Sequence, residues 1–136
     1  MSSGRSPFDL TGRRALVTGS SRGLGLAMAR ALAEAGASIV LNARDSVALG
    51  ATAADLAEAG FDVAALAFDV TSSDSVDDAI AHCEDEIGPI DILINNAGVQ
   101  IRGPLETYRR DDFEKIMTSH VTSTFMVGQT VAQRMI

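Results

Sequence analysis

Four short apolar runs alternate along the chain with longer segments whose apolar residues recur every three or four positions. Each run is bounded by Gly, Pro, Asn or Asp, which is typical of short buried strands. The predicted strands span residues 14–18, 38–42, 63–68 and 90–94. Strands that alternate with helices indicate a parallel sheet, because a parallel connection needs a crossover and the crossover is usually a helix. We therefore predict an α/β fold built on a parallel sheet.

The other segments are predicted to be helices, at about residues 23–35, 46–59, 74–87 and from 111 to the C-terminus. Right-handed crossovers place the strands in the spatial order 3-2-1-4, which is the beginning of a doubly wound, Rossmann-like sheet. Such sheets ordinarily continue past the fourth strand. We therefore expect residues 1–136 to be the dinucleotide-binding part of a single, incomplete domain.

Apolar periodicity also predicts which helix faces are buried. In the first helix the predicted stripe is Leu24, Ala27, Met28, Ala31, Leu32 and Ala35. In the third it is Val76, Ile80, Cys83 and Ile87. In the last it is Phe113, Ile116, Met117, His120, Val121, Thr124, Gly128, Val131 and Met135.

Composition excludes several classes of protein. With 136 residues, 46% of them hydrophobic, the chain is long enough to bury a domain core. The net charge of -7 and the absence of long basic runs disfavour nucleic acid as a partner. No segment has the length and apolarity of a membrane span or an export signal. The single cysteine, Cys83, cannot form an intrachain disulfide, which favours a reducing compartment, and we expect a cytoplasmic protein. No His, Cys and carboxylate cluster has metal-ligand spacing, so no metal site is predicted.

A glycine-rich turn joins the first predicted strand to the first helix. Gly19, Gly23 and Gly25 permit a tight turn and close approach of the backbone to a pyrophosphate, which the free N–H groups of the helix N-terminus would bind. Thr18, Ser20 and Ser21 offer further hydrogen-bond partners. The alternative is a tight turn with a purely structural role. Nucleotide binding is favoured because the turn lies directly between a predicted strand and an amphipathic helix.

The spacing of these glycines is Gly-x-x-x-Gly-x-Gly, without the Gly-Lys-Ser/Thr ending of a triphosphate-hydrolysing loop. Together, Thr18-Gly19-x-x-x-Gly23-Leu24-Gly25 and Asn95-Asn96-Ala97-Gly98 resemble the short-chain dehydrogenase/reductase family, over about residues 8–136. The resemblance implies an NAD(P)-dependent oxidoreductase that transfers a hydride between nicotinamide and an alcohol or ketone.

The resemblance also implies a set of cofactor-binding residues. Residues of the glycine turn would surround the pyrophosphate, Asp69 and Val70 would meet the adenine, and the segment after the fourth strand would line the ribose and nicotinamide. The implied contacts are Gly19, Ser21, Arg22, Gly23, Leu24, Gly25, Asp69, Val70, Asn96, Ala97 and Gly98. The alternatives are an ordinary Asn-Gly turn at the second motif and a loop carboxylate at Asp69.

Two arginines predict which nicotinamide cofactor is used. A carboxylate after the second strand would bind the ribose hydroxyls of NAD, whereas a guanidinium would pair with the extra phosphate of NADP. Arg44 stands at that position, and Arg22 lies in the glycine turn. The alternatives are that both are solvated surface residues, and that Asp45 reaches the ribose instead of capping a helix. NADP is therefore predicted, with NAD still possible.

The proton-transfer residues that the resemblance implies, a Tyr followed four residues later by a Lys, are absent from this sequence. Its one tyrosine, Tyr108, and its one lysine, Lys115, are seven positions apart. We therefore expect the chain alone to bind the cofactor poorly and to lack turnover. His120 stands where the family has a relay Asn, so it is a candidate catalytic residue that would hold the same water. The alternative is a core histidine bonded to a backbone carbonyl.

Within the family, the segments 8–13, 87–91 and 95–102 look most like the gluconate 5-dehydrogenase branch. That similarity implies a sugar-acid substrate, gluconate or 5-ketogluconate, whose carboxylate could meet Arg102. The alternatives are an enzyme like the 3-oxoacyl carrier-protein reductases and a noncatalytic nucleotide-binding fragment. Because the last helix usually forms a subunit interface in this family, the resemblance also implies a homo-oligomer, predicted to be a tetramer when complete.

Overall fold

The computed structural model of the chain describes residues 6–136. The first five residues, where we predict no export signal, lie outside the described residues. The strands are β1 (Arg14–Val17), β2 (Ser38–Ala43), β3 (Val63–Ala67) and β4 (Ile92–Ile94). They form one parallel sheet in the order β3-β2-β1-β4, which confirms the predicted fold class and topology.

The fourth strand begins two residues later than predicted, and Asp91 bonds to Arg14 through its backbone N–H as well as its side chain. The carboxylate of Asp91 accepts the N–H of Arg14 at 2.9 Å, so that donor is not available to a backbone carbonyl of β4. Regular pairing with β1 then begins at Ile92, opposite Ala15.

The helices lie close to their predicted positions, but two of them are not regular throughout. They are α1 (Gly23–Glu34), α2 (Ser46–Glu58), α3 (Ser73–His82), α4 (Arg110–Met117) and α5 (Ser123–Met135). A π-helical turn, Cys83–Ile87, follows α3, and a second, Thr118–Thr122, joins α4 to α5. A short 3-10 turn, Leu105–Thr107, precedes α4. Apolar spacing does not reveal a π turn, because the apolar residues continue through it.

Two separate cores, one on each face of the sheet, show that the fold is doubly wound. Successive residues of a strand point to opposite faces. Leu16 and Val40 accordingly pack with α3 and α5, whereas Val17 and Leu41 pack with α1 and α2. The predicted apolar face of the third helix is confirmed, since Val76, Ile80 and Cys83 are fully buried and Ile87 packs against them.

The predicted buried face of the first helix is wrong in most of its members, although Leu32 packs against the core. The structure buries Gly25, Ala29 and Ala33, whereas the side chain of Leu24 is 72% exposed. The buried residues recur at four-residue steps and are all small. The helix lies so close to the sheet and to the glycine turn that only small side chains fit between them.

The predicted stripe on the last helix is wrong in most of its members. The side facing the protein presents Ser119, Ser123, Val127 and Val131. The opposite side exposes large apolar side chains at four-residue steps. They are Phe113, Met117, Val121 and Phe125, with exposed fractions of 54%, 40%, 55% and 64%. The sequence pattern contains two helix faces, and the sheet covers the face with the smaller side chains.

Candidate cofactor site

The turn between β1 and α1 requires glycine for two different reasons. Gly19 and Gly23 both have φ of 61°, a left-handed conformation that strains other residues. At Gly25 the constraint is space. A Cβ there would lie 2.5 Å from Nδ2 of Asn96 and closer still to the carbonyl oxygen of Gly19. The tight turn and close packing that the glycine spacing predicts are therefore both present.

Asn42, at the end of β2, supports the turn from below. Its Oδ1 accepts the N–H of Gly19 at 3.1 Å, and its Nδ2 donates to the carbonyls of Leu66 and Phe68 at 3.1 and 3.2 Å. The residue is only 1% exposed. Sequence reasoning missed this role, although a polar residue at the end of an apolar strand was a visible signal.

Thr18 and Ser20 are buried and their hydroxyls are bonded within the protein, which contradicts their predicted role as phosphate partners. Thr18 Oγ1 accepts the N–H groups of Asn96 and Ala97 at 2.9 and 3.0 Å. Ser20 Oγ donates to the carbonyl of Val17 at 2.7 Å. Both residues are buried, and their hydroxyls join the turn to its neighbours.

Asn96 links the second motif to the first. Its Nδ2 donates to the carbonyls of Thr18 and Gly19 at 3.2 and 3.1 Å. These bonds hold the segment after β4 beside the glycine turn. Two motifs separated by more than seventy residues in sequence therefore form one structure at the carboxyl ends of β1 and β4.

A cavity of about 300 Å³ lies at this edge of the sheet. Most of the predicted cofactor residues line it, namely Gly19, Ser21, Arg22, Arg44, Asp69, Val70, Asn96, Ala97 and Gly98. Gly23, Leu24 and Gly25 lie outside its lining, and the side chain of Leu24 points to solvent. Parallel α/β sheets bind their ligands at the carboxyl ends of the strands, so the cavity lies where a dinucleotide is expected.

The charges around the cavity distinguish between the predicted roles of Arg44 and Asp45. Asp45 Oδ1 accepts the N–H groups of Val47 and Ala48 at 2.9 and 3.2 Å, which makes it the N-cap of α2. Arg44 and Arg22 line the cavity with exposed side chains. At the end of β2 a cation therefore faces the cavity, while the neighbouring carboxylate caps a helix.

Asp69 is held in its charged form by a local turn. Its Oδ1 accepts from Oγ1 of Thr71 at 2.7 Å and from the Thr71 N–H at 2.9 Å. These two hydrogen bonds, and to a smaller extent the positive charge of Arg44, lower the pKa of the Asp69 carboxyl below its ordinary value.

This lowered pKa predicts a pH dependence of stability. The contribution is fully present above the pKa that Asp has in the unfolded chain, and it is lost as pH falls through the folded-state pKa. We expect Thr71→Val, which removes the hydroxyl donor, to reduce the loss of unfolding free energy at acidic pH. Urea denaturation over a pH series checks this, with the exposed Thr107→Val as control. The prediction would be contradicted if the free energy of unfolding of Thr71→Val fell with decreasing pH as steeply as that of the unaltered protein.

Tyr108, Lys115 and His120 each have a different partner. Tyr108 Oη donates to the carbonyl of Ile101 at 2.6 Å, and Nζ of Lys115 lies 3.9 Å from Oδ1 of Asp112. His120 Nε2 lies 2.7 Å from the carbonyl oxygen of Val99. The backbone partner is the one that the core-histidine alternative predicts, but His120 is exposed and does not belong to the core.

The described part of the chain, residues 6–136, also bears on metal binding and membrane insertion. Within this range no group of three or more His, Cys, Asp or Glu side chains is placed to hold a metal ion. None of the helices described there has both the length and the apolar character needed to cross a bilayer.

The glycine turn at the carboxyl end of a parallel sheet, bordered by the Asn-Asn-Ala-Gly segment, is typical of dinucleotide-binding proteins. The model of the short chain dehydrogenase family matches residues 13–136, and the chain belongs to this family. The predicted family is thereby confirmed.

Its relatives include enzymes of sugar-acid metabolism. The chain is 48% identical to the gluconate 5-dehydrogenase of Gluconobacter oxydans, over 95% of this chain and 50% of that protein. It is 34% identical to the 5-keto-D-gluconate 5-reductase of Escherichia coli K12, over 95% and 51%. A crystal structure of a gluconate 5-dehydrogenase from Burkholderia cenocepacia with NADP and tartrate superimposes with a TM-score of 0.91 at 45% identity. That match covers 94% of this chain and 50% of the other. The chain thus spans about half the length of the relatives it matches.

Proposed function

We propose that this chain forms the NADP-binding part of an oxidoreductase. The observation that carries the proposal is the cavity at the strand ends, where the glycine turn, Arg22 and Arg44 meet. NADP differs from NAD by one phosphate on the adenosine ribose, and a guanidinium binds phosphate through charge-assisted hydrogen bonds. Because Asp45 is engaged as a helix cap, it does not supply the carboxylate that would favour NAD.

The residues present fit this cofactor group by group. Ser21 and the backbone of the glycine turn would hold the pyrophosphate at the N-terminus of α1, and Arg22 and Arg44 the ribose phosphate. Asp69 and Val70 would border the adenine. Asn96, Ala97 and Gly98 would line the ribose next to the nicotinamide. When bound, the nicotinamide supplies a hydride acceptor or donor, which is the chemistry of an alcohol or ketone dehydrogenase.

The proposed reaction is the interconversion of gluconate and 5-ketogluconate, and the support for it is the similarity to gluconate 5-dehydrogenases and 5-ketogluconate reductases. A Tyr-x-x-x-Lys pair is absent from this sequence. We therefore propose that these residues alone bind the nucleotide weakly and do not turn over substrate. A second candidate function, a noncatalytic nucleotide-binding module, would use the same cavity.

We further propose a cytoplasmic protein that forms homo-oligomers. The exposed apolar side chains on α4 and α5 support the second part, because large contiguous apolar patches are uncommon on soluble monomers.

Calorimetric titration of the purified chain with NADP and NAD tests the cofactor proposal. We expect binding of both, with NADP at least about tenfold tighter, which corresponds to about 1.4 kcal/mol. Equal affinity for the two nucleotides would contradict the role given to the arginines. Binding of neither would overturn the proposed function.

A kinetic assay separates the two candidate functions. A longer protein that contains this chain together with a Tyr-x-x-x-Lys pair is expected to reduce NADP when gluconate is added. Nucleotide binding without any rate on gluconate or 5-ketogluconate would reject the substrate.

A further inference from the structure

Val99, which follows the Asn95–Gly98 segment, is held at both of its backbone polar groups by consecutive residues of one helical turn. Ser119 Oγ accepts the N–H of Val99 at 3.3 Å, and His120 Nε2 lies 2.7 Å from the Val99 carbonyl oxygen. A carbonyl only accepts hydrogen bonds, so Nε2 of His120 carries a hydrogen and is the donor. The pair Ser119–His120 is called the Val99 clamp below.

The clamp lies in the π-helical turn Thr118–Thr122. Hydroxyls one turn later bind the carbonyls of both clamp residues, Ser123 Oγ donating to Ser119 at 2.5 Å and Thr124 Oγ1 to His120 at 2.6 Å. A π turn disturbs the regular bonding of a helix and is frequent at functional sites, and Ser and Thr hydroxyls can bind such carbonyls. The backbone that carries the clamp is therefore itself held in place.

Gly98 brings the loop against the imidazole. A Cβ at this position would lie 2.7 Å from both ring nitrogens of His120 and closer still to its Cε1. Gly98 does not have a positive φ, so the close contact, and not backbone conformation, accounts for the glycine. The imidazole of His120 therefore packs closely against Gly98 and also bonds to the carbonyl of the next residue, Val99.

The clamped residue borders two cavities. Val99 and Ser119 line both the cofactor cavity and a neighbouring cavity of about 870 Å³. A shift of Val99 would therefore change the shape of the cofactor cavity directly, at the side formed by Ala97 and Gly98.

We propose that Ser119 and His120 are positioning residues, which hold Val99 so that the wall of the cofactor cavity fits a nicotinamide nucleotide. This inference rests on the proposed function. His120 acts through Val99 and needs no direct contact with the reacting atoms.

The first test compares His120→Ala, His120→Gln and the control His82→Ala, which changes the other histidine, an exposed residue of α3. Loss of one hydrogen bond to the loop is expected to weaken NADP binding by about fivefold to tenfold. The glutamine amide can donate to the Val99 carbonyl and should restore most of the affinity. Hydrogen exchange of the Val99 amide should accelerate in His120→Ala and in Ser119→Ala, while thermal unfolding shows that both remain folded.

A double-mutant cycle tests the steric contact. Gly98→Ala is expected to weaken NADP binding in the presence of the imidazole and to have a much smaller effect in the His120→Ala background. Equal effects in the two backgrounds would contradict the contact.

Unchanged NADP affinity and unchanged Val99 exchange in His120→Ala, in a protein that binds NADP, would overturn the clamp and leave the proposed function intact. Failure of the unaltered protein to bind NADP or NAD would instead overturn both.

Discussion

Replacement of Asn42 by alanine is expected to lower the free energy of unfolding by about 3 kcal/mol or more, because three backbone groups, two buried and one partly buried, lose a partner and each such loss costs about 1–3 kcal/mol. The groups are the N–H of Gly19 and the carbonyls of Leu66 and Phe68. Denaturation by urea, with the midpoint and slope fitted together, measures the change.

Two further variants make the Asn42 prediction specific. Asn95→Ala is the matched control, because Nδ2 of Asn95 lies 3.5 Å from the carbonyl of Thr124 at an exposed site, and we expect a change below about 0.5 kcal/mol. Asn42→Asp retains an acceptor for Gly19 but turns a carboxylate oxygen toward two carbonyls, so it should be at least as destabilising as alanine. An Asn42→Ala protein as stable as the Asn95→Ala control would refute the role of the amide.

The second large effect is expected at Arg44. Arg44→Asp should weaken NADP binding by about 100-fold, because a carboxylate repels the ribose phosphate that the guanidinium would bind. The affinity for NAD should change by less than about threefold, since a carboxylate at this position can accept hydrogen bonds from the ribose hydroxyls. Calorimetric titration with both nucleotides measures this reversal of the preference for NADP over NAD.

Arg109→Asp provides the same change of charge away from the cavity. Arg109 is an exposed residue at the N-cap of α4, where a carboxylate is well tolerated, so the control should fold and keep the affinity of the unaltered protein for NADP. Parallel losses of NADP and NAD affinity in Arg44→Asp would show that Arg44 supports the cavity generally and does not read the phosphate.

Part of the site could be predicted because it depends on local sequence. Gly19 and Gly23 adopt the left-handed backbone that their spacing after a strand indicates. Arg22 and Arg44 line the cavity because the carboxyl ends of parallel strands, and the loops that follow them, share one edge.

Other parts depend on which neighbours each residue meets. Ser20 is a residue type that often binds phosphate, yet its hydroxyl donates a hydrogen bond to the carbonyl of Val17. Asn42 has the position of the last residue of an apolar strand, although its side chain bonds to three backbone groups of two other segments. The role of His120 follows from Val99, 21 positions earlier in the chain, and no sequence pattern specifies that bond.

By itself, the sequence determined the order of strands and helices, the parallel sheet and the position of the glycine turn, because these follow from apolar periodicity, chain handedness and the conformational freedom of glycine. The tertiary structure alone decided which helix faces are buried. Leu24 and Phe113 are apolar but lie on the outer faces, since the sheet accepts the small residues of α1 and the serines and valines of the last helix. Periodicity shows that a helix has an apolar side, whereas shape complementarity with the sheet selects the side that is covered.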